Sequence, residues 1–495
     1  MKLFDILSKC KTSFKIVNEK NLNIRNVTIN SKNVRNNYLF CALKGKNFNG
    51  QHFIKSILSN KDIAILTTNS KNGFENISSE TKKGIPVIVS QNIKRLLGEI
   101  CSQLYPNIIN ELQSVTGTNG KTSVAHYIRE IWAINNNLAA SIGTLGTIFK
   151  DEINTKSSLT TPDNVSFHKT LKKLYSKGCS KLIIEASSIG IHQDRIYPVK
   201  FDKIAYTNLS RDHLDFHRTM KKYISAKAKL FKKYSKKSTI AVLNSDDKYY
   251  DYFEEICINK KINVLDYGYK ARFFKIHNIE KLKNNHSLLT IILKNKKHTL
   301  EIKSDIKFEI YNIICALLMV YGKKICIDNF EVIQKLSSPP GRIEKVVDNK
   351  FKVFIDYAHT PDALQKILKN ISNQKKKKLF SIIGCGGDRD KGKRKLMTIE
   401  AIKYSDVVIL ADDNPRNENP DLIRKDMIKG LTRKQLDKII NIGDRKKAIK
   451  YGLNTIKNGD ILVITGKGHE KYQIINNKKF FFSDHLEVKK NMKML

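Results

Sequence analysis

The chain has 495 residues, too many for one ordinary core, and at 41% hydrophobic content it predicts about three packed globular domains. No apolar run approaches the roughly 18 residues of a membrane helix, and the eight cysteines are scattered without a C-x-x-C pair, which excludes a zinc or disulfide framework. The formal net charge of +43 would suit nucleic-acid binding, but the lysines run the whole length alongside abundant Asn and Ile, as A/T-rich codons produce, so any such binding is expected to be weak and salt-sensitive.

In chain order, Met1 to Leu7 carries charge inside a short apolar run and is a poor signal peptide, so the expected location is cytoplasmic. Residues 1–105 mix short strand-like runs (Asp62 to Thr67, Ile85 to Val89) with polar turns. Residues 106–337 open on Val115-Thr116-Gly117-Thr118-Asn119-Gly120-Lys121-Thr122-Ser123, a glycine turn before a helical pattern from Ser123 to Ile134. Backbone N–H groups of such a turn face phosphate oxygens. Lys121 adds a mobile positive charge, and Thr122 a hydroxyl for Mg²⁺. The loop is shorter than G-x-x-x-x-G-K-[ST], which would need glycine where Val115 stands.

Strands at Lys181 to Ala186, Lys203 to Thr207 and Thr239 to Asn244 then alternate with helices at Val165 to Lys177 and Met220 to Tyr234. This order predicts a parallel sheet covered on both faces. Glu185 ends one strand, where a carboxylate suits Mg²⁺ as well as a structural role. Thr207 to His217 form a polar cluster directly after a buried-type strand, which is costly unless it binds something. Ser337-Ser338-Pro339-Pro340-Gly341 reads as a linker. In residues 338–495, strands at Lys352 to Asp356, Leu379 to Gly384, Val407 to Ala411 and Ile461 to Thr465 each lead into a loop rich in Gly, Asp or Asn, the place where open α/β sheets bind ligands.

G-T-N-G-K-T, E-x-S-S, T-N-L-S-R-D-H-L-D-x-H, G-R-x-E, D-Y-A-H-T-P-D, G-C-G-G-D-R-D-K-G-K-R, D-D-N-P-R and G-K-G-H-E occur in this order across nearly the whole chain. Together they resemble the Mur ligase family. The resemblance implies an α/β fold of three domains: an N-terminal domain for a UDP substrate (1–105), a central P-loop-type parallel-sheet domain for ATP (106–337) and a Rossmann-like C-terminal domain for an amino acid (338–495). It implies a cytoplasmic, monomeric, ATP-dependent amide ligase with Mg²⁺. Such an enzyme adds meso-diaminopimelate to the D-glutamate of a UDP-N-acetylmuramoyl dipeptide through an acyl phosphate, with no specific nucleic acid and no membrane insertion.

By that resemblance Gly117, Thr118, Asn119, Gly120, Lys121, Thr122 and Ser123 hold the ATP phosphates, with Asn312, Asp356, His359 and Arg342 about the nucleotide. Thr122, Glu185, His213 and Lys227, the last as a carbamate, hold Mg²⁺. Lys121, Glu185, His213, Lys227 and Arg342 form the catalytic set. The UDP end falls to Ile29, Ser31, Lys46, Asn47 and Phe48, and the sugar-peptide part to Thr160, Thr161, Ser187, Gln193 and Arg195. Diaminopimelate falls to Arg389, Asp413, Asn414, Pro415, Arg416, Gly466 and Glu470. Its far end carries a carboxylate that lysine lacks, which a planar guanidinium can grip.

The chain departs from the family at Ile189, where histidine is usual, at Lys46 to Phe48, and in the adenine motif, of which only Asn312 survives. The last departure predicts lower affinity for ATP. The competing readings are a lysine-adding or folate-glutamate ligase and, from another class, a basic nucleic-acid-binding ATPase. D-N-P-R and D-Y-A-H-T-P-D weigh against the first two.

Overall fold

The computed structural model describes residues 1–45, 49–68, 84–150, 152–155, 159–282 and 286–492. Three main sheets follow one another along the chain. The first has five strands in the order Lys15–Val17, Val87–Val89, Ala64–Thr67, Tyr38–Cys41, Asn26–Thr28. Only the Lys15–Val17 edge is antiparallel. The expected strands Asp62 to Thr67 and Ile85 to Val89 are present but shortened at their starts.

The second sheet has eleven strands. Its parallel centre runs Asn263–Gly268, Ser235–Asn244, Phe201–Tyr206, Glu111–Thr116, Lys181–Glu185, Ala139–Gly143. Strands covered on both faces read as continuous apolar runs, and Leu182, Ile183 and Ile184 are fully buried. The parallel expectation needs correction at the edges. Phe274–Lys281, Ser287–Leu293 and Lys296–Ile302 extend one side as antiparallel ribbons, and Gly146–Phe149 with Glu152–Thr155 the other. Ser287–Leu293 alternates buried and half-buried residues along its length. That is the mark of a strand covered on one face, which no crossover helix need flank.

The third sheet has six strands, with Glu344–Asp348 antiparallel at its edge. Lys352–Asp356, Ile461–Thr465, Leu379–Ile383, Val407–Ala411 and Ile439–Gly443 are parallel. Three of these have the bounds expected from sequence. Helix Met220–Tyr234 also has its expected bounds, because the Thr219 side chain caps it by accepting from Lys222 N.

Helix Lys307–Tyr321 covers a stretch that the sequence marks only as a remnant nucleotide motif. It is buried without interruption from Ile310 to Met319 and packs on helix Lys121–Ile134. Its burial on all sides suits a helix that is apolar all round. At about 1.5–3 kcal/mol for each fully buried large apolar side chain, it anchors the phosphate-loop helix from behind.

Two buried histidines tie stability to pH. His168 Nε2 lies 3.0 Å from the Tyr197 carbonyl, and His217 Nε2 lies 3.0 Å from Ser188 Oγ. Burial lowers each from 6.5 to about 4. The unfolded chain therefore binds more protons between those values, so the stabilisation is full above 6.5 and is lost as pH falls towards 4. Thermal unfolding midpoints are expected to fall steadily across that window; a flat profile from pH 6.5 to 4 would contradict it.

Candidate active site

Strand Glu111–Thr116 lies inside the parallel centre, and the Gly117–Gly120 turn joins its end to helix Lys121–Ile134. Gly120 takes φ +87°, and a Cβ there would lie 2.5 Å from Asn312 Oδ1, so glycine alone fits. The polar cluster after strand Phe201–Tyr206 holds this turn in place. Asn119 N donates to Asn208 Oδ1 at 3.0 Å, and Thr207 Oγ1 donates to Asn119 O at 2.7 Å. Thr118 Oγ1 donates to Ser210 O at 3.1 Å. Lys121 Nζ folds back onto the carbonyls of Gly117 and Thr118 at 3.0 and 2.8 Å.

Thr122 Oγ1 donates to Glu185 Oε2 at 2.9 Å. The same carboxylate accepts from Thr144 N at 2.9 Å and Thr144 Oγ1 at 3.1 Å. Arg342 Nη2, from beyond the linker, donates to Thr122 Oγ1 at 3.1 Å while its guanidinium lies 4.6 Å over the Tyr357 ring. His213 sits at φ +54° at the start of a short helix, with Nε2 3.4 Å from Asp212 Oδ2. Its Nδ1 is shut off from solvent and unpartnered. Burial, the main cause, lowers its pKa to about 3, which leaves the imidazole neutral.

An adjacent hydroxyl and carboxylate, with a neutral imidazole lone pair unused, fit a hard divalent cation. Among the described residues, however, no three His, Cys, Asp or Glu side chains form a ready cluster. No hydrogen bond joins His213 to Glu185. Lys227 is 1% exposed, donates to the Gly117 carbonyl at 2.6 Å and lies 4.7 Å over the Tyr223 ring. Burial first, then the charge of Lys121, push its pKa well below the ordinary lysine value.

A cavity of about 520 Å³ opens beside the turn, within the size range of small-molecule sites. Asn119, Gly120, Ser123, Asn312, Arg342, Asp356 and His359 line it, so residues of the second and third sheets face one space. Asp356 accepts from Ile343 N at 2.7 Å, and burial raises its pKa. His359 Nε2 is 3.7 Å from Asp212 Oδ2. Asn119 Nδ2 donates to Asp362 Oδ2 at 2.8 Å.

On the other side of Glu185, Thr160, Thr161, Ser187, Gln193 and Arg195 form one connected cluster. Thr160 Oγ1 lies 3.2 Å from Thr144 Oγ1, and Thr161 Oγ1 lies 3.0 Å from Ser187 Oγ. Arg195 donates to Thr161 O at 2.8 Å and, through Nε and Nη2, to Gln193 Oε1 at 3.0 and 2.8 Å. Ile29 is 38% exposed and Ser31 opens a 3₁₀ turn in the first sheet's domain. Lys46, Asn47 and Phe48 lie outside the described residues.

The third constellation lies at the strand ends of the C-terminal sheet. Asp413 is buried and faces Gly466, where a Cβ would lie 2.6 Å from Asp413 Oδ2. Arg416 takes φ +56°, a strained setting for a residue with a Cβ. Its Nη1 donates to the Gly387 carbonyl at 2.7 Å and more weakly to Asn414 O at 3.3 Å. A Cβ on Gly386 would lie 2.7 Å from Arg416 Nη1 and 3.7 Å from Arg389 Cγ, so both side chains close on the same turn. Burial, then the charge of Arg389, lower the Arg416 pKa, while Asp413, Glu470 and Asp388 oppose them. A Cβ on Gly387 would lie 1.9 Å from the Pro415 carbonyl, so the G-G-D-R turn can approach the D-N-P-R turn only with glycine there.

Sequence reasoning missed Thr144, Tyr223, the bidentate Arg211–Asp390 pair at 3.0 and 3.1 Å, and the buried Asp212–Lys393 pair at 3.2 Å. The last two join the central and C-terminal sheets. Only the density of polar residues in T-N-L-S-R-D-H hinted at them.

Three comparisons bear on identity. The Mur ligase family catalytic domain matches residues 23–105, the Mur ligase middle domain 115–320, and the Mur ligase glutamate ligase domain 341–468. The UDP-N-acetylmuramoyl-L-alanyl-D-glutamate–2,6-diaminopimelate ligase of Aquifex aeolicus (strain VF5) is 37% identical over 94% of this chain and 93% of its own length. The enzyme of the same name from Rickettsia typhi (strain ATCC VR-144 / Wilmington) is 39% identical over 95% of this chain and 94% of its own. A solved structure bearing that enzyme name is 29% identical with TM-score 0.63, covering 95% of each chain. The MurF ligase of Thermotoga maritima in complex with ADP, 18% identical with TM-score 0.62 over 96% of this chain and 98% of its own, is alike in fold. Three domains matched in order, and relatives alike over nearly their whole length, mean that the chain belongs to the Mur ligase family.

Proposed function

We propose that this chain joins meso-2,6-diaminopimelate to the D-glutamyl carboxylate of UDP-N-acetylmuramoyl-L-alanyl-D-glutamate, with ATP converted to ADP and phosphate, as a step of peptidoglycan precursor synthesis. The observation that carries the choice of amine is the meeting of the G-G-D-R and D-N-P-R turns, where Arg416 Nη1 and Arg389 Cγ both flank Gly386, Asp413 faces Gly466 and Glu470 is bonded to Asn414. The guanidinium groups suit the far carboxylate of diaminopimelate, and the acids its ammonium. The names of the relatives support the same choice.

Residues 1–105 would hold the uridine end, 106–337 the phosphates of ATP and the reacting carboxylate, and 338–495 the amine. The loop N–H groups from Gly117 to Ser123 and the Lys121 ammonium would neutralise the phosphates; the ammonium must leave the Gly117 and Thr118 carbonyls to do so. Thr161, Ser187, Gln193 and Arg195 would place the glutamyl carboxylate near the γ-phosphate. A carboxylate oxygen attacks phosphorus, ADP leaves, and the acyl phosphate meets the amine held by the C-terminal pocket. Phosphate departs with the C–O bond pair, and the amine proton passes to solvent or phosphate.

Thr122, Glu185, His213 and a carbamate on Lys227 would hold Mg²⁺, which supplies charge neutralisation at the phosphate oxygens. A buried lysine whose pKa is pushed well below the ordinary value gives up its proton more readily, and the free amine is the form that takes up CO₂. Arg342, already on Thr122, would add positive charge from the third domain. Free thiols and the ATP requirement support the cytoplasm, and the reading assigns a monomer without a nucleic-acid partner. Among the described residues no helix is long and apolar enough to cross a membrane.

The test is product formation. With ATP, Mg²⁺, the UDP dipeptide and meso-diaminopimelate, mass spectrometry should find the amide-linked tripeptide nucleotide. ADP formation without that product would overturn the proposal.

A further inference from the structure

The geometry points to Lys467 as a positioning residue that sets the charge balance of the amine pocket, and with it the preference for an amino acid whose far end bears both ammonium and carboxylate. The inference rests on reading this pocket as the amino-acid site.

Lys467 follows strand Ile461–Thr465 and is 0% exposed. A buried ammonium is costly unless its donors are used. Here they are: Nζ donates to Asn414 Oδ1 at 3.0 Å and to the Tyr472 carbonyl at 2.8 Å, and lies 3.3 Å from Glu470 Oε2. Asn414 in turn donates Nδ2 to Glu470 Oε2 at 3.1 Å and accepts from Ile474 N at 2.9 Å. One cation thereby ties the D-N-P-R turn, Glu470 and strand Tyr472–Ile475 into a single unit. Nothing else in the proposed reaction requires it.

The electrostatic consequence follows from the count of charges. Asp413 and Glu470 are two acids in one buried pocket. Burial pushes the Asp413 carboxyl up, and Lys467, ahead of Arg445 and Arg416, pulls it below the usual range. Burial raises Glu470, Asp413 adds to this, and Lys467 opposes it. With Lys467 absent, the acids would be less offset and the pocket would better accept a lone ammonium, such as the end of lysine. With Lys467 present on Glu470 and Asn414, the acids are already offset, and an entering amino acid must bring a carboxylate of its own for Arg416.

Phosphate release by the full chain, with ATP, Mg²⁺, the UDP dipeptide and either meso-diaminopimelate or L-lysine, tests this in wild type, Lys467→Met and Lys467→Gln. In Lys467→Met the KM for diaminopimelate should rise at least ~30-fold and the diaminopimelate-over-lysine ratio of kcat/KM fall at least ~10-fold, with KM for ATP within about threefold. Lys467→Gln keeps a donor without the charge, so it should lose selectivity with a smaller rise in KM. A wild type that does not use diaminopimelate sinks the reading of the site and the inference together, and is seen before any variant is made. A wild type that does use it, with variants that keep their selectivity or weaken ATP and diaminopimelate alike, overturns the inference alone. If thermal unfolding finds neither variant folded, Lys467 serves stability and the inference is likewise overturned.

Discussion

Lys227→Ala is expected to lower phosphate release on the order of 10²–10³-fold, the scale lost when one fixed charge-stabilising group is removed from an enclosed site. Acetate or formate should restore part of the activity. Lys227 is buried, 2.6 Å from the Gly117 carbonyl of the phosphate loop, and it lies in the field of Lys121. As an ammonium it would repel both Lys121 and Mg²⁺. Burial and the charge of Lys121 push its pKa well below the ordinary lysine value, which favours release of the proton, and the lone pair of the resulting amine can attack the carbon of CO₂. One C=O electron pair moves to oxygen and the nitrogen proton goes to solvent, which leaves an anionic carbamate. The change reverses the sign of the local charge and supplies an oxygen ligand. A short carboxylate entering the space left in the alanine variant would mimic that oxygen. A folded Lys227→Ala protein with full activity, or one that no carboxylate rescues, counts against this role.

Arg416→Ala should cut kcat/KM for diaminopimelate on the order of 10²–10³-fold, as expected when one partner of an enclosed charge pair is removed. KM for ATP should hardly move. Arg416 keeps its left-handed backbone through contacts with Gly387 and the Ile474 carbonyl, while its guanidinium shares the pocket with Arg389, Asp413 and Glu470. Arg416→Lys should recover little, because an ammonium lacks the planar fork that matches a carboxylate. Unchanged diaminopimelate kinetics would remove Arg416 from the proposed site. An equal loss of ATP affinity would point instead to a disturbed fold.

Much of this architecture was legible from the residues. Strands such as Val407–Ala411 and Ile461–Thr465 are short apolar runs ended by Asp or Gly, and helix Met220–Tyr234 follows its helical pattern, with the Thr219 cap seen only in the fold. The antiparallel ribbons from Phe274 to Ile302 were not legible. Their alternation is diluted by lysines, and a strand that pairs only at a sheet edge needs no crossover signature. Helix Lys307–Tyr321 carries no helical signature in sequence, because its even apolarity gives no amphipathic period.

The phosphate loop stood out through its glycines and Glu185 through its place at a strand end, whereas the D-N-P-R turn was marked by the resemblance to the family. Their supporting residues did not stand out. Arg211 meets Asp390 and Asp212 meets Lys393 across far-separated segments, and Lys467, though part of G-K-G-H-E, gives no sign in sequence of its partners. Only the fold puts it beneath Asn414 and Glu470.

Diaminopimelate as the amine is tested most directly by phosphate release from ATP with the UDP dipeptide and each amine in turn. Release should require the dipeptide and meso-diaminopimelate together, be far slower with L-lysine, and be unaffected by added DNA or RNA. Equal or faster release with lysine, or release driven by nucleic acid without an amino acid, would contradict that assignment.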